Sequence, residues 1–318
     1  TLDRFKIQGS NDGAVTISQS STSPDGFSKS FKVDVTTADT SIAAGQYLQI
    51  NHRPEAKDLQ YLSYGTSAAK TITVSFYVRS NVTGTYTFAI QQPDNSSKQV
   101  SQTYTINSAN TWERKTFTFA GDTSGVINDD NGVGFQINWN LAIGSTYTSG
   151  TSRSVWTAYA DGDFAAGHTA NLLSSTSNEF YLTGVQLEVG PVATPFEHRR
   201  YGEELALSQR YFYKFADGST GGNYVGIGNQ YTSSAFYVFV KFPVSMRAAP
   251  SLSQNTTSNG YKKFANSALS SFNSFTGFTG ESVTGGLLYA SVSGTAGHAC
   301  QISLGNGEGG LLAASSEL

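Results

Sequence analysis

The sequence predicts an all-β protein with an N-terminal β-sandwich, a short linking helix and a smaller C-terminal β-sandwich domain. Three observations lead to this prediction. Apolar and polar residues alternate with a period of two in several segments, and Gly, Ser, Thr and Asn are abundant. Charged residues make up 14% of the chain, against about 25% in an average globular protein. This composition favours a β protein with many turns and an uncharged polar surface.

The strand signals are strongest in the first two thirds of the chain. Residues 72–78 and 86–90 both alternate, and turn-forming residues 81–84 separate them, which predicts an antiparallel hairpin. Residues 133–141 form another such segment, in which Trp139 has the same parity as the apolar residues and is assigned to the core. Several strands of this kind, separated by turn-rich segments, indicate a sandwich.

The junction between the two domains is marked by a strand, two prolines and a helix. Residues 185–189 alternate, and Gly184 separates them from an upstream set of opposite parity, which predicts a β-bulge at the glycine. Pro191 and Pro195 end the strand. Residues 202–210 are good helix formers with acidic residues in the first turn. A helix of about three turns is marginal alone, so it is expected to pack on other elements.

These signals divide the chain into residues 1–198 as the first sandwich, 199–213 as the linking helix and 214–318 as the C-terminal β domain. In that last domain, residues 236–242 are apolar on both faces of a strand. A strand of this kind is buried on both sides, and a neighbouring subunit could cover the second side. The predicted oligomer interface comprises Leu205, Tyr211, Tyr213, Tyr237 and Phe239.

Charge and hydropathy exclude several classes of partner. There are 20 Lys and Arg against 23 Asp and Glu, a net charge of −3, and no basic block, which argues against nucleic-acid binding. No segment approaches the ~20 apolar residues of a membrane span, so no membrane insertion is expected. The single cysteine, Cys300, cannot form an intrachain disulfide and is expected to be buried. The first residue is Thr1, which suggests a processed or partial chain.

The sequence offers no cofactor or metal site. Residues 305–310 fit GxGxxG, but the eight residues that follow cannot hold the helix of a nucleotide-binding unit. Asp161 and Asp163 flank Gly162; a polar turn is the favoured interpretation and a calcium site the alternative. The four histidines lie far apart with no ligand spacing: His52, His168, His198 and His298.

A glycosidase requires only two suitably spaced carboxylates, which a sequence cannot exclude. The available ones are Glu188, Glu197, Asp161 and Asp163. Glu188 falls on the polar face of a strand, and nothing in the pattern marks it as buried or paired. A binding protein without enzymatic activity is therefore the favoured interpretation.

Three long polar loops, residues 20–30, 144–153 and 161–177, are candidates for a binding surface. Tyr and Trp can stack on the faces of sugars and lose little entropy on binding. The predicted glycan-contacting residues in or beside these loops are Tyr147, Trp156, Tyr159, Asp161 and His168.

Several segments resemble a known family. TGVQLEVG, ATPFEHR and EELALSQRYFY within residues 180–213, and FPVSMRAAP at residues 242–250, are similar to stretches of bacteriophage tail-fibre and receptor-binding proteins. Weaker matches occur at residues 3–5, 64–67 and 110–115. Ser208 stands where that family often has cysteine. The family pairs a jelly-roll domain, similar to carbohydrate-binding modules, with a small C-terminal β domain.

The resemblance implies a jelly-roll type for the first sandwich and a role in the virion. The protein would be made in the host cytoplasm, assemble as a trimer in a phage tail or tail fibre with other virion proteins, and attach to a glycan or protein receptor on the host surface. Two alternatives stay open. One is a structural virion protein, either a capsid decoration or a fibre-anchoring subunit. The other is a polysaccharide depolymerase or glycosidase.

Overall fold

The computed structural model describes residues 4–94, 97–216, 224–256, 258–305 and 311–318, and these are almost entirely β. They form two compact units, one ending at His198 and the other beginning at Arg199. The strands of the first unit are β1 (Phe5–Ser10), β2 (Ala14–Ser20), β3 (Ser30–Thr37), β4 (Tyr47–His52), β5 (Ile72–Ser80), β6 (Gly84–Gln92), β7 (Lys98–Ile106), β8 (Glu113–Phe119), β9 (Gln136–Ile143), β10 (Thr157–Ala158) and β11 (Glu179–Val189).

The first unit is a sandwich of a six-stranded sheet, in the order β1-β4-β9-β6-β7-β10, and a five-stranded sheet, in the order β2-β3-β11-β5-β8. All pairs are antiparallel. Its short helices are a 3₁₀ helix at Ala56–Leu62, α1 at Asp161–Phe164 and a 3₁₀ turn at Leu172–Ser174. The jelly-roll type of β-sandwich expected for this part of the chain is thereby confirmed.

One aromatic cluster fills the space between the two sheets. Trp139 is fully buried, as its parity predicted, and so are Phe76 and Phe88. The rings of Phe76 and Phe88 lie 5.4 Å apart, and Phe88 stacks on Phe117 at 5.1 Å. Burial of such large rings dominates the energy of a core of this kind.

The predicted hairpin of residues 72–78 and 86–90 is wrong. β5 pairs with β8 and β11 in one sheet, whereas β6 pairs with β7 and β9 in the other. The connection at residues 81–83 therefore crosses between the sheets, and the Tyr86 hydroxyl donates to the Val82 carbonyl there at 2.9 Å. Alternation identifies the buried face of each strand, but two strands that face each other across a core show the same pattern as two that pair.

The predicted bulge at Gly184 is confirmed. The register between β11 and β5 shifts between Thr183 and Gln186, and Gly184 has φ of +59°. A Cβ atom there would lie 2.6 Å from the Phe27 ring. Glycine is required both by the backbone conformation and by the close approach of that ring.

The second unit begins with α2 (Tyr201–Gln209), which buries none of its residues. The strands of the second unit are β12 (Phe212–Ala216), β13 (Tyr224–Gln230), β14 (Ala235–Lys241), β15 (Ser251–Gln254), β16 (Tyr261–Ala265), β17 (Ala268–Phe272), β18 (Gly277–Ser282), β19 (Gly285–Ser291), β20 (Ala299–Leu304) and β21 (Leu312–Ser315). They form a three-stranded sheet, β12-β21-β15, and a seven-stranded sheet, β17-β16-β20-β13-β14-β19-β18. None of the helices in the described ranges has the length and apolar character needed to cross a membrane.

Candidate functional site

A cluster of side-chain amides lies on the outer face of the six-stranded sheet. We call it the amide floor; it consists of Gln49 and Asn51 of β4 and Asn138 and Asn140 of β9. The strand register places Gln49 beside Asn140 and Asn51 beside Asn138. The residues between them, such as Ile50 and Trp139, fill the core. Because side chains alternate along a strand, the amides must point to the opposite face.

The amide floor has more acceptors than the chain satisfies. The Asn51 Nδ2 group donates to Asn138 Oδ1 at 2.8 Å, and the Asn140 Nδ2 group donates to Thr87 Oγ1 at 2.9 Å. Gln49 Oε1, Asn51 Oδ1 and Asn140 Oδ1 are buried and have no donor within the described chain. The four side chains are at most 3% exposed, and a buried acceptor without a donor is costly, so a hydroxyl group that reached these oxygens would be bound favourably.

The edge of the floor at β1 is lined by linked polar and aromatic groups. Gln8 is paired with Gln49 in the register of β1 and β4. The Gln8 Nε2 group donates to the Tyr47 hydroxyl at 3.4 Å, and the Arg53 Nη2 group donates to Gln8 Oε1 at 3.3 Å. The Tyr47 ring in turn lies edge-on to Tyr147 at 5.8 Å. This edge therefore presents a guanidinium, an amide and two phenol rings beside the floor.

Two of the predicted binding loops fold onto the other half of the same sheet face. The Ser101 hydroxyl on β7 donates to the Asp163 carbonyl at 2.9 Å, and Gln99 Nε2 donates to the Ala160 carbonyl at 3.0 Å. Arg153 Nε binds Asp163 Oδ2 at 2.7 Å and thereby links the two loops. Phe164 packs with Ala89 of β6. These contacts hold the loops against β6 and β7, beside the amide floor.

Tyr147, Tyr159 and Asp161 are brought together at these loops. Tyr147 and Tyr159 are half-buried and lie 6.4 and 6.2 Å from the Phe164 ring. Asp161 is exposed. Burial and a hydrogen bond with Asp161 both raise the pKa of the Tyr159 hydroxyl. The three residues form one patch, and their predicted contact with a glycan stays a prediction.

His168 and Trp156 do not lie on this patch. His168 is only 9% exposed; its ring nitrogens are 3.2 Å from Thr87 Oγ1 and 2.7 Å from the Ala170 carbonyl, and burial lowers its pKa to about 4. Trp156 stacks on Phe135 at 5.6 Å at the edge of the core, and its indole N–H donates to the Ala120 carbonyl. Both side chains are held by contacts within the first unit, and their predicted contact with a glycan stays a prediction.

The acidic candidates are held in structural contacts. The Asp163 carboxylate accepts from the Thr151 N–H at 2.7 Å, and this bond and Arg153 lower its pKa. Burial opposes ionisation of Glu188, but hydrogen bonds from Gln186 and Thr194 outweigh it and lower its pKa. Within the described ranges, no three His, Cys, Asp or Glu side chains are grouped as metal ligands. Most of the GxGxxG segment, residues 306–310, lies outside the described residues.

The second unit carries a different exposed feature, a row of apolar side chains across the seven-stranded sheet. We call it the apolar row: Leu269, Phe264, Ile227, Phe239 and Leu287, which are 60, 49, 72, 64 and 37% exposed, respectively. Strand pairing sets Phe264 beside Leu269 and Phe239 beside Leu287, and Gln301 lies between Phe264 and Ile227. Pairing of β13 with β14 at Gly228 and Val238 sets Ile227 beside Phe239. None of these residues is charged.

The predicted interface residues occupy both inner and outer positions in the second unit. Tyr211 is buried, and Tyr213 is half-buried and packs on Phe215 at 5.0 Å, so both belong mainly to the unit's own interior. Leu205 is exposed on α2. Tyr237 stacks on Tyr289 at 5.7 Å, next to the exposed Phe239. On the opposite face of β14, the predicted burial is confirmed for Phe236, Val238, Val240 and Phe242.

Sequence reasoning missed the amide floor, although a signal was present. On β4 and β9, the polar members of the alternating pattern are almost all amides: Gln49, Asn51, Gln136, Asn138 and Asn140. The solvent-facing side of an ordinary strand carries a mixture of Thr, Ser, Lys and Glu. A face made almost entirely of amides on two paired strands indicates a hydrogen-bonding surface.

The comparisons with known proteins give structural similarity only. No protein-family model and no curated protein of similar sequence matches the chain. Among solved structures, it is similar to the enzymatically active domain of tailspike protein 4 of bacteriophage CBA120 (11% identity, TM-score 0.34), covering 59% of this chain and a fifth (20%) of that one. It is also similar to a family 4 carbohydrate-binding module (16% identity, TM-score 0.34, 59% of this chain and 88% of that one). A family 11 carbohydrate-binding module of Clostridium thermocellum matches at 11% identity and TM-score 0.32, covering 62% of this chain and 91% of that one.

Proposed function

We propose that this chain is a non-enzymatic glycan-binding protein whose ligand lies on the amide floor. The observation that carries the proposal is a set of three buried amide oxygens that have no donor in the described part of the chain: Gln49 Oε1, Asn51 Oδ1 and Asn140 Oδ1. Sugar hydroxyls are hydrogen-bond donors, and the rings of Tyr47 and Tyr147 beside the floor can contact the apolar faces of a sugar.

We further propose that the protein works in a phage virion, as a tail-fibre or receptor-binding subunit. Support comes from the resemblance of residues 180–213 and 242–250 to that family. In the second unit, the apolar row supports assembly with further copies of this chain. Its five side chains expose on the order of 500 Å² together, more than half of the ~800 Å² per partner of a standard interface. Patches of this size mark protein contacts, and the same row on another copy is an uncharged partner for it.

A hydrolytic role is the less favoured candidate. A general acid needs a pKa raised toward neutrality, whereas the pKa values of Asp163 and Glu188 lie below the ordinary range. Incubation of the full chain with host polysaccharide, followed by sizing of the products, tests this directly. Shortened polysaccharide chains would show depolymerase or glycosidase activity.

The proposed ligand site is tested with a glycan array, followed by titration calorimetry of the strongest ligand. Gln49→Met keeps the size of the side chain and removes its amide, and Gln19→Met makes the same change at an exposed position of the other sheet. We expect Gln49→Met to weaken binding about threefold to tenfold, the effect of one hydrogen bond. Gln19→Met should bind like the wild type. Equal affinities for all three proteins would rule out the floor.

The virion role is tested by locating the protein in intact particles. Three or six copies at a tail vertex fit attachment to a host. Hundreds of copies over the capsid would instead identify a decoration protein, and binding of the array ligand would then need another explanation.

A further inference from the structure

Arg53 follows β4 at the edge of the amide floor, and the chain uses little of its hydrogen-bonding capacity. A guanidinium carries five N–H donors. The Nη2 group donates to Gln8 Oε1 at 3.3 Å, while Nε is buried without an acceptor in the described chain. Burial lowers the pKa of this guanidinium. The side chain therefore carries a charge in a half-buried position with donors to spare.

Two other arginines of the same unit are paired with carboxylates. Arg79 binds Glu179 at 3.3 Å, and Arg153 binds Asp163 at 2.7 Å. Within the described residues, Arg53 has no such partner, although acidic residues outnumber basic ones in the chain. A partly buried charge that lacks a counterion is unfavourable unless an anion reaches it.

The position of Arg53 connects it to the floor. Its partner Gln8 lies opposite Gln49 in the register of β1 and β4, and Gln49 Nε2 also donates to Gln8 Oε1 at 3.4 Å. A saccharide whose hydroxyls bind Gln49 and Asn51 would therefore have one of its ends next to Arg53. The planar guanidinium fork fits carboxylate and sulfate groups through two parallel hydrogen bonds.

We infer that the ligand is an acidic glycan, with a carboxylate or sulfate group held by Arg53 at the β1 edge of the amide floor. This inference rests on the proposed function, since it concerns the same site. It assigns the two recognition tasks to different groups. The floor accepts hydroxyl donors, and Arg53 supplies donors to the one anionic substituent.

The test compares matched glycans on the full chain: a neutral oligosaccharide, its uronate counterpart and its sulfated counterpart. We expect the wild type to bind at least one acidic form roughly 10- to 100-fold more tightly than the neutral form, the effect of a charge-assisted hydrogen bond. Arg53→Gln should remove this preference, so that the acidic and neutral forms bind this variant with equal affinity. Arg53→Lys, which keeps the charge but loses the fork, should retain part of it.

The outcomes separate the two proposals. If the neutral and acidic forms bind equally, and Gln49→Met weakens both, the floor stands and the role of Arg53 is refuted. If no glycan of any class binds, the proposed function itself fails. Salt titration of the wild type provides a measurement without a variant: binding of the acidic form should weaken from low to physiological salt, and a salt-independent preference would overturn the inference.

Discussion

The exposed fraction of Phe239 sets the free energy that the apolar row is expected to contribute to assembly. Phe239 is 64% exposed in the single chain. Complete burial of such a side chain is worth about 3 kcal/mol, so covering the exposed part by a second copy contributes about 2 kcal/mol per subunit. Phe239→Asp removes this contribution and places a charge in the contact. We expect assembly to weaken by at least ~30-fold.

The assay is sedimentation velocity over a range of micromolar concentrations. The matched control is Val192→Asp, which introduces the same charge at another exposed apolar position, 71% exposed in the first unit. Circular dichroism checks that both variants fold, as expected because neither side chain belongs to a core. Identical association of both variants would refute the reasoning, and so would a wild type that stays monomeric with a folded second unit.

Three further predictions concern the stability of the first unit. His168 has a folded pKa of about 4, below its unfolded value of 6.5, so its contribution to stability is complete above pH 6.5 and falls by about 3 kcal/mol as pH drops toward 4. In urea denaturation, the free energy of unfolding of His168→Asn should therefore fall less steeply with decreasing pH than that of the wild type. An unchanged pH profile would contradict this. Phe88→Ala, at a fully buried ring, should lower the free energy of unfolding by about 4 kcal/mol, measured by denaturant titration; a loss below about 1 kcal/mol would contradict the core assignment. Gly184→Ala should cost about 2 kcal/mol because of its positive φ and the Phe27 ring, whereas Gly45→Ala, where a Cβ meets nothing within 4 Å, should cost nothing; equal melting temperatures would refute the strain.

The sequence predicted the faces of strands better than their partners. The core positions of β9 and β14 and the bulge at Gly184 were predicted correctly, because side-chain alternation and glycine conformation are local properties. The hairpin of β5 and β6 was not, because pairing depends on contacts that local alternation does not encode. Local alternation also does not encode what covers the second face of β14. This face is apolar in sequence, and Phe239 on it is exposed in the single chain.

The candidate site was predicted only in part for a related reason. Loop position suggested residues 144–153 and 161–177, and the structure brings both onto one sheet face. The burial of His168 was not predicted, because nothing in the sequence shows that its ring lies against Thr87. The amide floor arises from two strands far apart in sequence, so its residues meet only through the register of β4 and β9.

The central claim is that a glycan occupies the amide floor, and a crystal structure of the full chain with its strongest array ligand tests it most directly. The account predicts saccharide hydroxyls within hydrogen-bond distance of Gln49 Oε1, Asn51 Oδ1 and Asn140 Oδ1, the three floor acceptors that have no donor among the described residues. A ligand bound at any other surface, with these three oxygens untouched, would contradict it.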